Sequence, residues 1–553
     1  MKMKITKLYI YLLMPALLLG ACKKQILRQP NPNAPTPNAS LVTEGGISAF
    51  AQGIYEKWIA FETGDGNLNF FQLAWSIESN MGDEDFSPYS NWGGRYPANV
   101  NTITLPAPYN TVIPNPSGYD QLGLLRSVNS RVAGDGNSIQ YEWDVFYYIN
   151  AQANSLLQAL NNSGLVLTGD AATKKKLLQA WAYYWKGYAY SKIGSMYLAG
   201  LVDDSPDSTA KGLTSNLYQA HDAVLAAGNN NFEKAAALFG SITENADYDA
   251  TFQAIIPSFN ANTQVITPVM WVRQIHSYEA RNFLVNHKVA SMTAADWTTV
   301  QNLASTGLIK GDRTLLWGMA PSGINDLSGN TYHPFEMHNQ SVGLSYVSER
   351  LIQDYRPGDK RLTKNFGPYP GGAVVNVRSR GIQFGTRYIP LNVENGATYA
   401  TQNHQGLVPI APTWEENALM IAEAKIRSGS DIEGGLQLID QVRDADSAYL
   451  PHIAGTGLSQ DSAIAQLRSE RRVGLYMRGV AWYDARRWGV TAPKAQGGGR
   501  ANANVLVPGS LIGGTAATIL PCFIDYSFVD YWDVPQNELD FNPAGPGSAK
   551  LAN

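Results

Sequence analysis

The sequence predicts a mainly α-helical protein whose body is built from helical hairpins, with an irregular, loop-rich sub-region set into it. Three observations predict this. Long segments carry apolar and aromatic residues at helical spacing, above all 140–160 and 171–198. Near the C-terminus, cap and stop residues punctuate such segments. Thr413 and Glu416 have capping-box spacing for a helix through Arg427, Gly429 ends it, and Ser430 with Glu433 starts the next through about Asp444. Between them, residues 251–410 lose helical periodicity and become rich in Gly, Pro, Asn and Thr, a stretch too long to be one loop.

The elements follow in chain order. Lys2, Lys4 and Lys7 precede an apolar run over 8–19, then Gly20, Ala21 and Cys22. That is a charged leader with an apolar stretch too short to span a bilayer, so residues 1–21 read as a signal peptide. Leu19-Gly20-Ala21-Cys22 resembles a bacterial lipobox, whose cleavage leaves Cys22 as the lipid-bearing residue; the alternative is an ordinary signal peptide with a chance cysteine. With Cys22 acylated, Cys522 has no disulfide partner and is expected to be a small buried hydrophobe. Residues 22–45 hold four prolines among Asn, Thr and Ser and are expected to run extended. No other segment is long and apolar enough to span a membrane.

Helices are expected over 46–61, with Phe50, Ile54 and Trp58 on one face, over 70–79, and over 213–227. In the 171–198 helix, Trp181, Tyr184, Trp185, Tyr188 and Tyr190 cover most of the circumference, which predicts stacking against neighbouring helices. Short strand-like runs occur near 381–391, and Gly497-Gly498-Gly499 reads as a flexible stretch. Residues 46–250, 251–410 and 411–553 are taken as parts of one domain.

Charge and chemistry narrow the function. A formal net charge of −4 over 553 residues, with no long basic run, argues against nucleic acid as a partner. No nucleophile elbow, phosphate loop or dinucleotide fingerprint is present, and nothing nominates a catalytic carboxylate pair. His333, Glu336 and His338 lack the regular helix that zinc motifs use, because Pro334 interrupts them. Asp65, Asn67 and Asn69 begin like a calcium loop, but Phe70 and Ser76 stand where Gly and Glu are required. Asp83, Glu84 and Asp85 are oxygen donors suited to Ca²⁺, although a solvated acidic turn is the expectation. No other cofactor is implied.

Loop aromatics remain. The segment 81–97 mixes breakers, acids and aromatics, and aromatics on a loop have no automatic place in a core. Sugar rings offer apolar faces and hydroxyl rims, so their sites combine aromatic planes with polar groups. Tyr89, Trp92 and Tyr96 with Asn91 and Arg95 supply both, and Trp297, Trp317 and Tyr332 would complete a platform from the irregular sub-region. Ordinary packing is the competing expectation for each.

The closing stretch, residues 469–489, places Leu475 and Trp482, with Ile464 just before it, on one side of a helical wheel and Val473, Met477 and Val480 on the other. A helix apolar on two sides is buried, so Glu470, Arg471 and Asp484 must find partners there. Glu470, Arg471, Arg472, Leu475, Gly479, Trp482, Asp484, Arg487 and Trp488 resemble the closing motif of the SusD/RagB lipoproteins. Gly474, Arg478 and Ala481 depart from it, at positions sharing one face of a continuous helix. Residues 530–543 resemble the family's terminal motif, and the lipobox and the 413–445 hairpin agree with it. The resemblance implies tetratricopeptide-like hairpins in a SusD-like α-α superhelix, anchored by lipid on the outer face of the outer membrane. It implies capture of oligosaccharide for a SusC-like TonB-dependent transporter, with no bond broken. Peptide cargo of the RagB kind, a surface glycoside hydrolase and a helical adaptor binding only proteins are the alternatives.

Overall fold

The computed structural model describes residues 41–60, 76–86, 94–205, 215–256, 264–319, 346–375, 384–390 and 406–553. Helix α1 (Glu44–Ala60) turns Ile47, Ala51, Ile54 and Tyr55 inward. It is followed by the short α2 (Ser76–Met81) and α3 (Gln121–Val128), the latter capped by the Asp120 carboxylate. α4 (Gln140–Leu160) has its predicted bounds, and α5 (Ala171–Met196) stops two residues early. The five aromatics around α5 are all buried. They stack as expected: Trp181 meets Trp185 edge-on at 5.5 Å between centroids, and Tyr184 meets Trp271 at 5.0 Å.

Two expectations are corrected next. The helix expected over 213–227 is α6 (His221–Gly240), which runs straight through Gly228 and three asparagines. Those residues read as a stop signal but serve a close helix–helix approach. A Cβ at Gly228 would lie 3.2 Å from the Gly187 carbonyl oxygen and Ser191 backbone nitrogen of α5. The buried Asn231 amide donates to the Ala227 carbonyl and the Asp204 carboxylate.

Helical order also persists well beyond residue 250, in α7 (Ala246–Ile255), α8 (Pro268–Val285) and α9 (Ala294–Ser305). The apolar periodicity of α8 is weak because its buried face includes polar residues that bond to neighbouring helices. Gln274 donates to Tyr184 at 3.0 Å, Asn282 to Ser191 at 2.7 Å, and Ser277 to Asn417 at 3.0 Å. The irregular part begins only after α9.

A six-stranded antiparallel sheet was not legible in the sequence beyond its strand near 385. Its order is Val112–Pro114, Thr102–Thr104, Thr518–Asp525, Arg500–Val507, Gly385–Thr386 and Val374–Val375. Gly497–Gly499, expected to be flexible, is the turn that feeds the long hairpin of this sheet. Gly497 and Gly499 have φ of 84° and 94°, and a Cβ on Gly499 would strike the Phe523 ring at 2.4 Å. Cys522 is free and buried in the hairpin.

The C-terminal helices are α10 (Glu349–Asp354), α11 (Lys360–Asn365), α12 (Trp414–Ser428), α13 (Ile432–Ala445), α14 (Gln460–Gly474), α15 (Ala481–Arg487) and α16 (Gln536–Phe541). Thr413 caps α12 and Gly429 ends it at φ 70°, as expected. The Glu416 carboxylate, though, leaves the capping box and pairs with Arg281. Asp431, not Ser430, caps α13. The closing stretch is two helices, because Met477 at φ 57° and Gly479 at φ 68° turn the chain between α14 and α15. Gly474, Arg478 and Ala481 therefore share no helical face.

The buried charges of this stretch are paired. Asp484 accepts from Arg471 and Arg487, each at 2.7 Å, and Glu423 accepts from Arg487 and Arg427. Glu470 accepts from Arg361 at 2.5 Å and Arg443 at 2.9 Å. One apolar cluster gathers residues from Ile47 in α1 to Val534 beyond the sheet. Two smaller clusters lie between α12, α13 and α14, and between α8, α9 and α12. Among the described residues, no helix is long and apolar enough to cross a membrane.

Candidate functional site

The aromatic loop leaves the body at residues 82–86, and its root is locked by the closing helices. Gly82 lies against α15, where a Cβ would sit 2.6 Å from the Ala481 Cβ and the Trp482 nitrogen, so only glycine permits this approach. Arg472 of α14 donates to the Gly82 carbonyl at 2.8 Å and the Asp83 carbonyl at 2.9 Å. Asp85 and Phe86 pair with Tyr346 and Val347 as a two-stranded ladder, and the Ser348 amide donates to the Glu84 carbonyl.

The acidic turn expected to be solvated, or to hold Ca²⁺, is part of the core. Asp83, Glu84 and Asp85 are 8%, 1% and 3% exposed. Asp83 sits at φ 56° and accepts from Arg350 Nη2 at 2.6 Å, Arg350 Nε at 3.0 Å, Tyr526 at 2.8 Å and Ser348 at 2.9 Å. Burial raises its carboxyl, but the Arg350, Arg500 and Arg472 guanidinium groups prevail and hold it at about 2. Asp85 accepts from Tyr476 and Ser79, each at 2.7 Å. Burial, aided by the neighbouring Asp85 charge, pushes the Glu84 carboxyl up to about 8. Among the described residues, no cluster of three or more His, Cys, Asp or Glu side chains is placed to hold a metal. The turn is an anchor in which Asp83 is paired with Arg350 and Asp85 accepts from two buried hydroxyls.

Of the residues nominated for ligand contact, Arg95 and Tyr96 lie on the turn where the loop returns. Arg95 Nη2 donates to the Tyr96 hydroxyl at 2.8 Å, and its guanidinium covers the Tyr96 ring 4.8 Å from the centroid. Tyr96 is half-buried and packs on the main core. The turn itself is pinned by Gln121, whose amide donates to the Pro97 carbonyl at 2.6 Å. Trp297 belongs to the α8–α9–α12 core at 5% exposure, with Arg427 over its ring at 5.5 Å. Packing prevails there, and the ring has no open face for a sugar. Trp317 stands in the strand Leu316–Met319, paired with Val408. Tyr89, Asn91, Trp92, Tyr332, Cys22, the calcium-like loop at 65–69 and His333, Glu336 and His338 lie outside the described residues.

Beside the loop root opens a cleft of about 530 Å³ that sequence reasoning missed. Met81, Gly82 and Asp83 form one wall and α14 another, and the end of α10, the end of α15 with the residues after it, and residues 499–501 complete the lining. Its lining combines four arginines with Trp488, Tyr355 and Tyr526. The arginines of α14 were visible in the sequence; their convergence with Arg356 and Arg500 was not.

The sequence matches the model of the SusD family over residues 416–544, which run from α12 through the terminal motif. The matched stretch takes in the closing helices and the terminal motif, the segments whose residues resemble the family. Solved structures with the SusD fold cover nearly all of it. A SusD-like carbohydrate-binding protein from Bacteroides fragilis is 14% identical, covers 90% of this chain and 98% of its own, and gives a TM-score of 0.57. A SusD-like carbohydrate-binding protein from Bacteroides vulgatus is 13% identical over 92% of this chain and 98% of its own, at a TM-score of 0.53. A third, a crystal structure with xylogluco-oligosaccharide, is 14% identical over 80% of this chain and 82% of its own, at a TM-score of 0.51. No curated protein matches the sequence. At these identities the likeness establishes a shared SusD fold.

Proposed function

We propose that this protein captures oligosaccharide non-covalently at the cell surface and passes it to a TonB-dependent outer-membrane transporter. The observation that carries the reading is the SusD fold, shared over nine-tenths of the chain with a carbohydrate-binding protein. In this reading the 81–97 loop presents Tyr89, Asn91, Trp92, Arg95 and Tyr96, with Trp317 and Tyr332 approaching from the irregular sub-region. The buried anchor at residues 82–85 supports it, because a rigid root lowers the entropy lost when a loop orders around a ligand. Cys22 carries the lipid that tethers the body to the outer membrane, and no bond of the cargo is broken.

Peptide cargo is the second reading. The cleft beside the loop root favours it, being lined by charge more than by an aromatic platform.

Affinity electrophoresis of a form beginning at residue 23, through gels holding a panel of polysaccharides, tests the proposal. Retardation by one neutral glycan, weakened in Trp92→Ala and unaccompanied by release of reducing sugar, is the expected result. No retardation by any glycan, with retention of peptides instead, would turn the assignment to peptide cargo. Release of reducing sugar would make the protein a hydrolase.

A further inference from the structure

We propose that the cleft between α10, α14 and α15 is an oxyanion-binding site, taking the carboxylate or sulfate of a sugar-sized ligand at the root of the aromatic loop and not on its aromatic rings. Its volume, about 530 Å³, lies within the range of small-molecule sites. Charge is the first argument. Arg356, Arg468, Arg472 and Arg500 line the cleft against only Asp83 and Asp354. Both carboxylates are already engaged. Asp83 is held by Arg350 from behind the wall, and Asp354 is shared by Arg472 at 2.5 Å and Arg500 at 2.8 Å. The lining therefore keeps positive charge that its own acids do not neutralise.

Arg468 is the second argument. It is half-buried on the cleft face of α14, and among the described residues it has neither a carboxylate partner nor a hydrogen bond. Its guanidinium lies over the Trp488 indole at 4.7 Å, which sets the plane of the fork. Burial first, and then the neighbouring cations Arg427, Arg487 and Arg472, loosen its proton relative to an ordinary arginine's, against the opposing pull of the Glu423 carboxylate. A planar guanidinium oriented by an aromatic face and left without an anion suits bidentate capture of an oxyanion. Arg356 adds a neighbour, spending only one long bond on the Ala465 carbonyl, at 3.4 Å. Arg472 cannot serve as the receptor, since its Nε, Nη1 and Nη2 are all committed to Asp354 and the loop root.

The test is isothermal titration calorimetry on the full-length chain in detergent, with D-galacturonate, D-galactose and sodium sulfate as probes. Galacturonate is expected to bind, galactose is not, and added sodium chloride should weaken the binding. Arg468→Ala should lower galacturonate affinity by about tenfold or more, with Arg468→Lys between it and the wild type. Among the described residues Arg468 makes no hydrogen bond, so Arg468→Ala should lower the thermal midpoint only by the loss of its contact with Trp488, and Arg468→Lys, which keeps a cation there, should move it less. Competition by sulfate would identify a general oxyanion site and inert sulfate a carboxylate site; either supports the proposal. Equal binding of galactose, unchanged galacturonate binding in both variants, or no heat with any probe would overturn it. Retention of a neutral glycan by the aromatic loop should be unaffected by Arg468→Ala, so this proposal and the glycan reading fail independently.

Discussion

Replacing Arg350 by alanine removes the cation on which the root of the aromatic loop depends. Three nitrogen–oxygen contacts between Arg350 and Asp83, at 2.6, 3.0 and 3.0 Å, disappear together. Asp83 would keep the neutral Tyr526 and Ser348 donors, with Arg500 no nearer than 4.0 Å. Removing one partner of a buried pair costs roughly 3–5 kcal/mol. The remaining carboxylate can escape only by taking up a proton. At pH 7, about three units above its ordinary value of 3.8, this costs about 4 kcal/mol at about 1.36 kcal/mol per unit. The two routes agree, so Arg350→Ala should lose about 4 kcal/mol in urea unfolding followed by tryptophan fluorescence.

The pH dependence supplies a second check. In the wild type the Asp83 carboxyl is depressed to about 2, so its stabilising contribution is complete above its ordinary 3.8 and is lost as pH falls through 2. In Arg350→Ala that depression is gone and protonation becomes easier with each unit of acid. The gap between the proteins should therefore narrow as pH falls from about 7 toward about 4. Adding Asp83→Asn to Arg350→Ala should recover part of the loss, because an amide needs no counter-charge. A loss below about 1 kcal/mol at unchanged slope, the range of an exposed pair, would refute the claim that this contact anchors the loop.

Two further outcomes follow from the same root. Glu84 keeps its proton to about pH 8 in the folded protein, whereas the unfolded chain releases it near 4.5. Between those values only the folded state holds the proton, so the contribution is full below 4.5, falls as pH rises and is gone above about 8; Glu84→Gln should flatten the decline in urea midpoint between about pH 5 and 8. Gly82→Ala would drive a methyl group to 2.6 Å from α15 backbone, and should cost about 1–3 kcal/mol in the same assay and weaken any glycan retention by the loop.

What was legible in the sequence was local. The bounds of α4 follow from apolar residues repeating every turn, and the start and end of α12 follow from Thr413 and Gly429, because each signal needs only neighbours within a few residues. That Glu470, Arg471 and Asp484 must have partners also followed from sequence, since an apolar helix cannot leave buried charge unpaired. Which partners they find did not: Arg361 lies 109 residues from Glu470, and only the fold brings the two together.

The misreadings share one cause. Gly228 and the asparagines of α6 look like a stop until α5 is placed against them, and the polar face of α8 looks like loop until Tyr184, Ser191 and Asn417 receive it. Asp83, Glu84 and Asp85 read as a solvated turn because nothing nearby in sequence reveals Arg350, Tyr526 and Tyr476. The sequence by itself determined the bounds of α4 and the start and end of α12, and nominated a loop. Tertiary structure decided which charges are buried and which arginine stands alone, because those depend on side chains that meet only after distant segments have packed.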